Sequence, residues 1–256
     1  MLCLTHDVDG PFERRNFALF NEIIRRPLDL SPSEVLGALR LMRKGKPNWF
    51  FLPNLLEIER RFGVRSTLFF RADKEAYAID DLKSIIRDLD SDGFEVGLHA
   101  SIRSAFERGL LRTEKKKLES VVGHPIIGVR HHYLTLGRDT WNFHKSVGFE
   151  YDSTLGYRNE MTFMQPFVLA NGLKIFPTSF MDSSDLFTYQ PLSKYFPFID
   201  GLLDRVRGEK LTLTALFHAD HFGFRRERLI YAHLLDHAQR LGLEIAPLVV
   251  ANARCH

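Results

Sequence analysis

Cysteine is scarce: Cys3 and Cys255 are the two in 256 residues. A small secreted scaffold stapled by disulfides needs more than one possible bridge, so that class is excluded and a reducing compartment is expected. Long apolar runs are missing as well. None reaches the roughly 18 residues of a membrane span, and the N-terminus lacks a basic stretch, an apolar stretch and a cleavage site in that order. The chain enters strand-like MLCL at Met1, which leaves no room for a leader and makes a cytoplasmic protein the expectation. An excess of one charge is also lacking. The 35 basic and 32 acidic residues leave a formal charge of +3, too balanced for a protein that tracks a phosphate backbone, so no nucleic-acid partner is expected. The local exception is RSAFERGLLRTEKKK, residues 103–117. It reads as a solvated helix face, or as a surface for an anionic glycan or for peripheral contact with a membrane. What the chain does have is apolar mass: 45% hydrophobic residues suffice for one large α/β domain, expected over residues 1–256.

Short β-rich runs alternate with helical patterns, as in βα units repeated around a parallel sheet, although no sequence repeat is evident. After the first strand a long connection over residues 11–65 holds one helix in SPSEVLGALRLMRKG, capped by Ser31 or Ser33, and a second in LPNLLEIERRFG. There follow strand STLFFRAD, helix DDLKSIIRDLD, strand FEVGLHA ending at His99, helix TEKKKLESVVG, strand PIIGVRHHYL running into a loop, helix RDTWNFHKSVG, and FEYDSTLGY as the next strand and its exit. Residues 158–190 are less regular. They hold KIFPTSF as a strand followed by MDSSDLF, in polar and aromatic surroundings that suit a hairpin or a substrate-facing loop. Strand LTLTALFHAD, helix RRERLIYAHLLDHAQRLG and closing strand LEIAPLVV complete the pattern.

Polar residues gather at the predicted C-terminal ends of different strands, where α/β barrels build their sites. In THDVDG, Asp7 and Asp9 are two apart, so an extended chain points both carboxylates the same way. The local alternative is a capped turn, in which Asp bonds its own backbone and Gly supplies a positive φ. His99 ends EVGLH, Arg130 and His132 end IIGVRHH, Asp152 lies in EYDST, and His218 ends TALFH.

The order THDVDG, EVGLHASIRS, GVRHHYL, FEYDSTLGY and LFHADHF resembles the polysaccharide deacetylase family, the NodB-type domain of the fourth carbohydrate esterase family, from residue 1 to about 250. It is closest in character to the deacetylase-like proteins of bacterial O-antigen and exopolysaccharide gene clusters, in which Arg-x-His-Tyr-Leu and Tyr-Asp-Ser-Thr-Leu-Gly recur. The resemblance implies a distorted (β/α)7 barrel, a divalent metal, usually zinc, and hydrolysis of an acetyl group on a sugar, N-acetyl before O-acetyl. It implies Asp9 and His99 as metal ligands, Asp7 as general base, and Arg130 as the arginine that orients that base. It further implies the backbone N–H of Tyr133 as oxyanion donor and His218 as general acid, oriented by Asp152 or else by Asp182 or Asp220. The chemistry is coherent on its own terms. Acetamide hydrolysis needs an activated water, a site for the developing oxyanion and an acid for the departing amine, and a metal held by carboxylate and imidazole meets the first two needs.

One departure is specific. The family's second motif is His-Ser/Thr-x-x-His, whose two histidines both bind metal, whereas four residues after His99 stands Arg103. A guanidinium stays protonated and offers no lone pair, so either another residue supplies the third protein ligand or the site holds no metal. His132 is the replacement candidate: in an extended segment it shares a side with Arg130, while His131 points away. Asp9, His99 and His132 would leave a water position open, and His221 is the next candidate. Three readings follow: a metal-dependent sugar deacetylase; a catalytically silent glycan-binding barrel; and a metal hydrolase or lyase-like enzyme acting on another acyl group such as formyl. Phe163, Phe167, Phe180, Phe187, Tyr189, Tyr195, Phe196 and Phe198 cluster after Asp152. Most are expected in the core, and the loop MDSSDLFTYQ is expected to contact substrate. A cytoplasmic location would point to a nucleotide-linked or lipid-linked glycan, a precursor of surface polysaccharide, as the substrate.

Overall fold

Strand β1, Leu2–Val8, is buried along its whole length, apolar at Leu2–Leu4 and polar at Thr5, His6 and Asp7, as a strand covered on both faces and ending at a site can be. In the computed structural model, which describes residues 1–9, 51–73, 77–183, 191–223 and 225–255, β1 lies in parallel register with β2, Thr67–Arg71, with β9, Leu213–His218, and with β10, Ile245–Ala246. Beyond β2 the sheet continues through β3, Glu95–Ala100, β4, Gly128–His131, and β5, Tyr151–Asp152. It ends in β7, Lys174–Ile175, paired antiparallel with β6, Phe167–Val168, while β8, Phe180–Met181, flanks β9. The sheet curls into a half-barrel of the NodB type, and its two end strands, β6 and β8, do not pair with each other among the described residues.

Helices cover the sheet: α1, Phe51–Phe62; α2, Lys83–Ser91; α3, Arg108–Val122; α4, Thr140–Val147; α5, Leu192–Gly208; α6, Arg225–Arg240; and α7, Leu248–Arg254. One network of polar groups caught beneath them offsets the cost of its burial by hydrogen bonds. His6 in β1 sets Nε2 2.9 Å from Glu59 Oε1, and Tyr231 and Ser66 donate to the same carboxylate at 2.5 and 3.0 Å. This network ties β1 to α1 and α6.

The regular core matches the sequence pattern; the irregular parts do not. LEIAPLVV is not one strand. It stops at Ala246, and Pro247 caps α7, which takes up the β-branched Val249 and Val250. Proline at a helix start has no N–H to lose, and Leu248 and Ala251 bury the face that docks. KIFPTSF divides into β7 and β8 at Pro177. Of the two possibilities around it, the hairpin is realised by β6 and β7, turning at Gly172 with φ +78°. The helix expected in SPSEVLGALRLMRKG and residues 184–190 of the suspected loop, with Phe187 and Tyr189, lie outside the described residues.

Parallel register carries the polar residues to one edge. Asp7 aligns with His218, Arg71 with His99, and His99 with Arg130. This is the C-terminal edge, where parallel α/β sheets open onto ligands.

Candidate active site

Asp7 and Arg130 form the deepest layer. The Arg130 side chain is 0% exposed, and its donors are spoken for: Nε to Ser153 O at 2.9 Å, Nη2 to Ser153 Oγ at 2.8 Å, and Nη1 to Thr5 Oγ1 at 2.9 Å and Asp7 Oδ1 at 3.0 Å. The guanidinium lies 4.5 Å over the Phe69 ring, a stacking that a planar cation permits and an ammonium does not. Thr5 and Ser153 were not singled out from sequence. Thr5 had a signal: it shares a strand face with Asp7 by period two.

Above this layer Asp9, His99 and His132 offer one donor atom each within 4.8 Å of one another. The His99 ring sets Nδ1 3.1 Å from the Arg130 carbonyl. A carbonyl only accepts, so that nitrogen carries the proton and Nε2 is the atom His99 turns into the site. Nε2 is 2.9 Å from Asp9 Oδ1 and 3.1 Å from His132 Nδ1, and His132 Nδ1 is 3.1 Å from the same oxygen. Neither contact to Asp9 Oδ1 has hydrogen-bond geometry, and that oxygen is buried without a hydrogen-bond partner. Burial alone would raise the Asp9 pKa, but the closeness of His99 and His132 overrides it and holds the carboxyl well below the usual range. Two ring nitrogens around an orphaned carboxylate oxygen fit a cation.

Arg103 does not reach this place. Buried Glu114 pins the exit of β3, accepting from Ser101 Oγ at 2.5 Å, Ser101 N at 3.1 Å and Ser104 Oγ at 2.9 Å. The turn so fixed sends Arg103 outward, its side chain 76% exposed and 3.8 Å from Glu107.

The chain then turns sharply at His132–Leu134. Tyr133 and Leu134 have φ of +56° and +52°, the left-handed region that costs a residue with a side chain about 1 kcal/mol or more. Tyr133 lines a cavity of about 350 Å³ together with Asp7, Asp9, His132, His218 and His221, and is itself largely exposed. The size is that of a small-molecule site. Arg158 stands on its rim as well.

His218 and His221 line the cavity too, and Asp182 holds both of them from behind. Its carboxylate accepts from His218 Nδ1 at 2.6 Å, from the His218 backbone N–H at 2.8 Å and from His221 Nδ1 at 2.8 Å. Burial works against charge on both rings, yet Asp182 outweighs it and pushes His218 up to about 10 and His221 up to about 9. With Nδ1 so engaged, His218 turns Nε2 toward the cavity, 3.8 Å from Asp9 Oδ2. Asp182, His218 and His221 also group their donor atoms within 4.8 Å, but there the carboxylate is already satisfied by hydrogen bonds.

Asp152 is a correction: it does not orient His218. Its carboxylate accepts from Thr154 N at 3.0 Å, Thr154 Oγ1 at 2.5 Å and Trp141 Nε1 at 3.3 Å, and lies 3.2 Å from His144 Nδ1. His144 Nε2 in turn is 2.8 Å from Nε2 of His131, whose Nδ1 is 2.9 Å from the Ser101 carbonyl. Asp152, Thr154, His144 and His131 are buried, and His131 does not line the cavity. Asp220 lines the cavity without touching His218; Asp182 is the partner.

The buried His131 predicts a pH effect. Burial first, and then His144, push His131 down to about 3. An unfolded histidine titrates near about 6.5, so on acidification the unfolded chain takes up a proton that the native chain refuses. Stability is therefore full above about pH 6.5 and falls as pH drops toward 3. Urea unfolding at pH 7 and pH 5 checks it, with a shallower fall expected for His131→Asn; an equal fall in both proteins contradicts it.

No protein-family model matches the sequence, and no curated protein matches it. Solved structures do. A Mycobacterium smegmatis protein classed as a polysaccharide deacetylase superposes with a TM-score of 0.66 at 20% identity, covering 99% of this chain and 88% of that one. An allantoinase superposes at 0.67 and 16% identity over 98% and 88% of the two chains. A pseudoenzyme of the fourth carbohydrate esterase family from Bacillus anthracis superposes at 0.54 and 13% over 98% and 65%. At these identities the likeness is one of fold, and the fold is that of the polysaccharide deacetylase structures.

Proposed function

We propose that the chain is a metal-dependent deacetylase of an acetylated sugar, with Asp9, His99 and His132 holding the metal. The observation that carries this reading is the orphaned Asp9 Oδ1 set 2.9 and 3.1 Å from two imidazole nitrogens beside the cavity. Two imidazoles and one carboxylate suit zinc. A divalent ion held there would supply Lewis acidity, acidifying a water and polarising an acetyl carbonyl.

The chain's own residues do the rest. Asp7 accepts the proton of the attacking water, and Arg130 fixes the carboxylate that accepts it. The Tyr133 backbone N–H donates to the oxygen on which charge develops. His218, held at Nδ1 by Asp182, gives its Nε2 proton to the departing nitrogen. This last feature favours N-acetyl over O-acetyl, because an amine must be protonated to leave and an alkoxide of a sugar needs less help. Arg158 and His221 add positive charge to the cavity wall, which suits the phosphates of a nucleotide-linked or lipid-linked precursor of surface polysaccharide.

Acetate release from a nucleotide-linked N-acetylhexosamine, with and without added zinc, tests the proposal; zinc-dependent release supports it. The silent glycan-binding reading is favoured by the outward-turned Arg103, which leaves the usual second metal histidine without a counterpart at that position. That reading predicts bound ligand and no acetate. His218→Ala should slow release from an N-acetyl sugar about 10²–10⁴-fold while slowing hydrolysis of an aryl acetate, whose leaving group needs no acid, by far less. Equal losses on both substrates would remove His218 from the acid role.

A further inference from the structure

Three adjacent strands, β3, β4 and β5, leave the sheet at the edge that carries the cavity, and the segment after each exposes an apolar side chain. Ile102 and Phe106 follow β3, Tyr133 follows β4 and Tyr157 follows β5. Phe106 is 62% exposed and Tyr133 72%. Nine large apolar side chains are exposed among the described residues, so nearly half of them stand on these three segments. The segments also touch. A Cβ on Gly137, after β4, would meet the Phe106 ring at 2.7 Å, and one on Gly156, after β5, would lie 3.3 Å from Leu134.

Positive charge accompanies them. Arg103 pairs with Glu107 at 3.8 Å. Arg108, Arg112, Arg138 and Arg158 are exposed and have no ion-pair or hydrogen-bond partner among the described residues, although Asp139 and Glu160 are exposed acids of the same segments. Arg158 and Tyr133 line the cavity itself. Two of these arginines work against their own helix. Arg108 opens α3, whose first turn holds no acid, so a cation sits at the positive end of the helix dipole. Arg112 stands one turn further on, and like charges at i, i+4 repel. An anionic surface would relieve both costs.

The apolar members decide which anionic surface. Ile102 has neither a flat face to stack on a sugar ring nor a polar atom to bond its hydroxyls. It suits, with Phe106, the boundary between lipid headgroups and acyl chains, at which tyrosine rings also settle. We propose that the segments leaving β3, β4 and β5 dock on a bilayer containing anionic phospholipid. Ile102 and Phe106 enter it, and Arg108, Arg112, Arg138 and Arg158 meet the lipid phosphates. The cavity then opens onto the bilayer; together with the deacetylase reading, on which this clause alone rests, that favours a lipid-linked glycan over a soluble nucleotide sugar.

The test is co-sedimentation of the full chain with vesicles at neutral pH. It needs neither metal nor turnover, so its failure leaves the deacetylase reading standing. Vesicles of phosphatidylglycerol and phosphatidylcholine in equal parts should carry the protein down, phosphatidylcholine alone should not, and raised salt should weaken the binding. Each arginine near an anionic bilayer strengthens binding about fivefold, so Arg108→Gln with Arg112→Gln should weaken it about 25-fold. Ile102→Ser with Phe106→Ser leaves charge untouched and should weaken binding about tenfold or more. Melting temperatures close to that of the parent chain show that the variants are folded; should Phe106→Ser fail to fold, Tyr157→Ser takes its place. No binding to the anionic vesicles overturns the surface. Binding that the serine pair leaves unchanged overturns it in favour of a purely electrostatic patch for a soluble acidic glycan.

Discussion

Asp7→Asn is expected to slow acetate release by about 10³-fold, the middle of the range for loss of a positioned general base, with metal content unchanged. The substitution keeps shape and keeps a carbonyl oxygen for the Arg130 Nη1 contact at 3.0 Å, so geometry survives while proton acceptance does not. The loss should fall on kcat rather than KM, because Asp7 acts when the water attacks and not when the sugar binds. Steady-state kinetics of acetate release on the zinc-loaded variant checks it. A loss below tenfold would take the base role away from Asp7 and leave it a structural partner of the arginine.

Arg130→Ala is expected to be the most destabilising single change in the site. It leaves Asp7 as a buried carboxylate without its cation, strands the Ser153 carbonyl that accepted from Nε at 2.9 Å, and opens a cavity beside Phe69. Breaking a buried pair from one side costs about 3–5 kcal/mol, which for a chain of this length lowers the melting temperature by about 10 °C. Arg130→Lys restores charge but neither the fork nor the stacking on Phe69, and should recover only part of the loss. Thermal melts of the three proteins decide it. A drop of about 1 °C or less in the alanine variant would mean that the guanidinium is not a structural anchor.

The long parallel strands were legible because β1, β3 and β9 are apolar runs whose last residues turn polar, and a strand covered on both faces leaves that trace in sequence. Among the two-residue strands, β5 is legible in FEYDSTLGY, β7 and β8 read as one strand in KIFPTSF, and β6 is too short to leave a period. In LEIAPLVV the β-branched residues argued for strand, and docking of the Leu248 face decided for helix. The same boundary divides the site. Asp9, His99 and His132 could be placed from strand ends and two-residue spacing. The exchange of Asp152 for Asp182 could not, since it depends on the pairing of Met181 with Leu216, which sets Asp182 against the end of β9. Asp152 meanwhile is consumed by its own neighbour Thr154 and by a histidine eight positions earlier. The α5–α6 seam shows the limit from the other side: Asp200 and Asp204 on α5 and His233 and His237 on α6 are each an i, i+4 pair visible in sequence, and only the packing of the two helices sets Asp200 against His233.

The most direct test is metal content of the purified protein. After zinc loading and desalting, the account predicts about one ion per chain, falling to near zero when His132→Ala is added. No ion in the first protein, or an ion retained after His132→Ala, would contradict it.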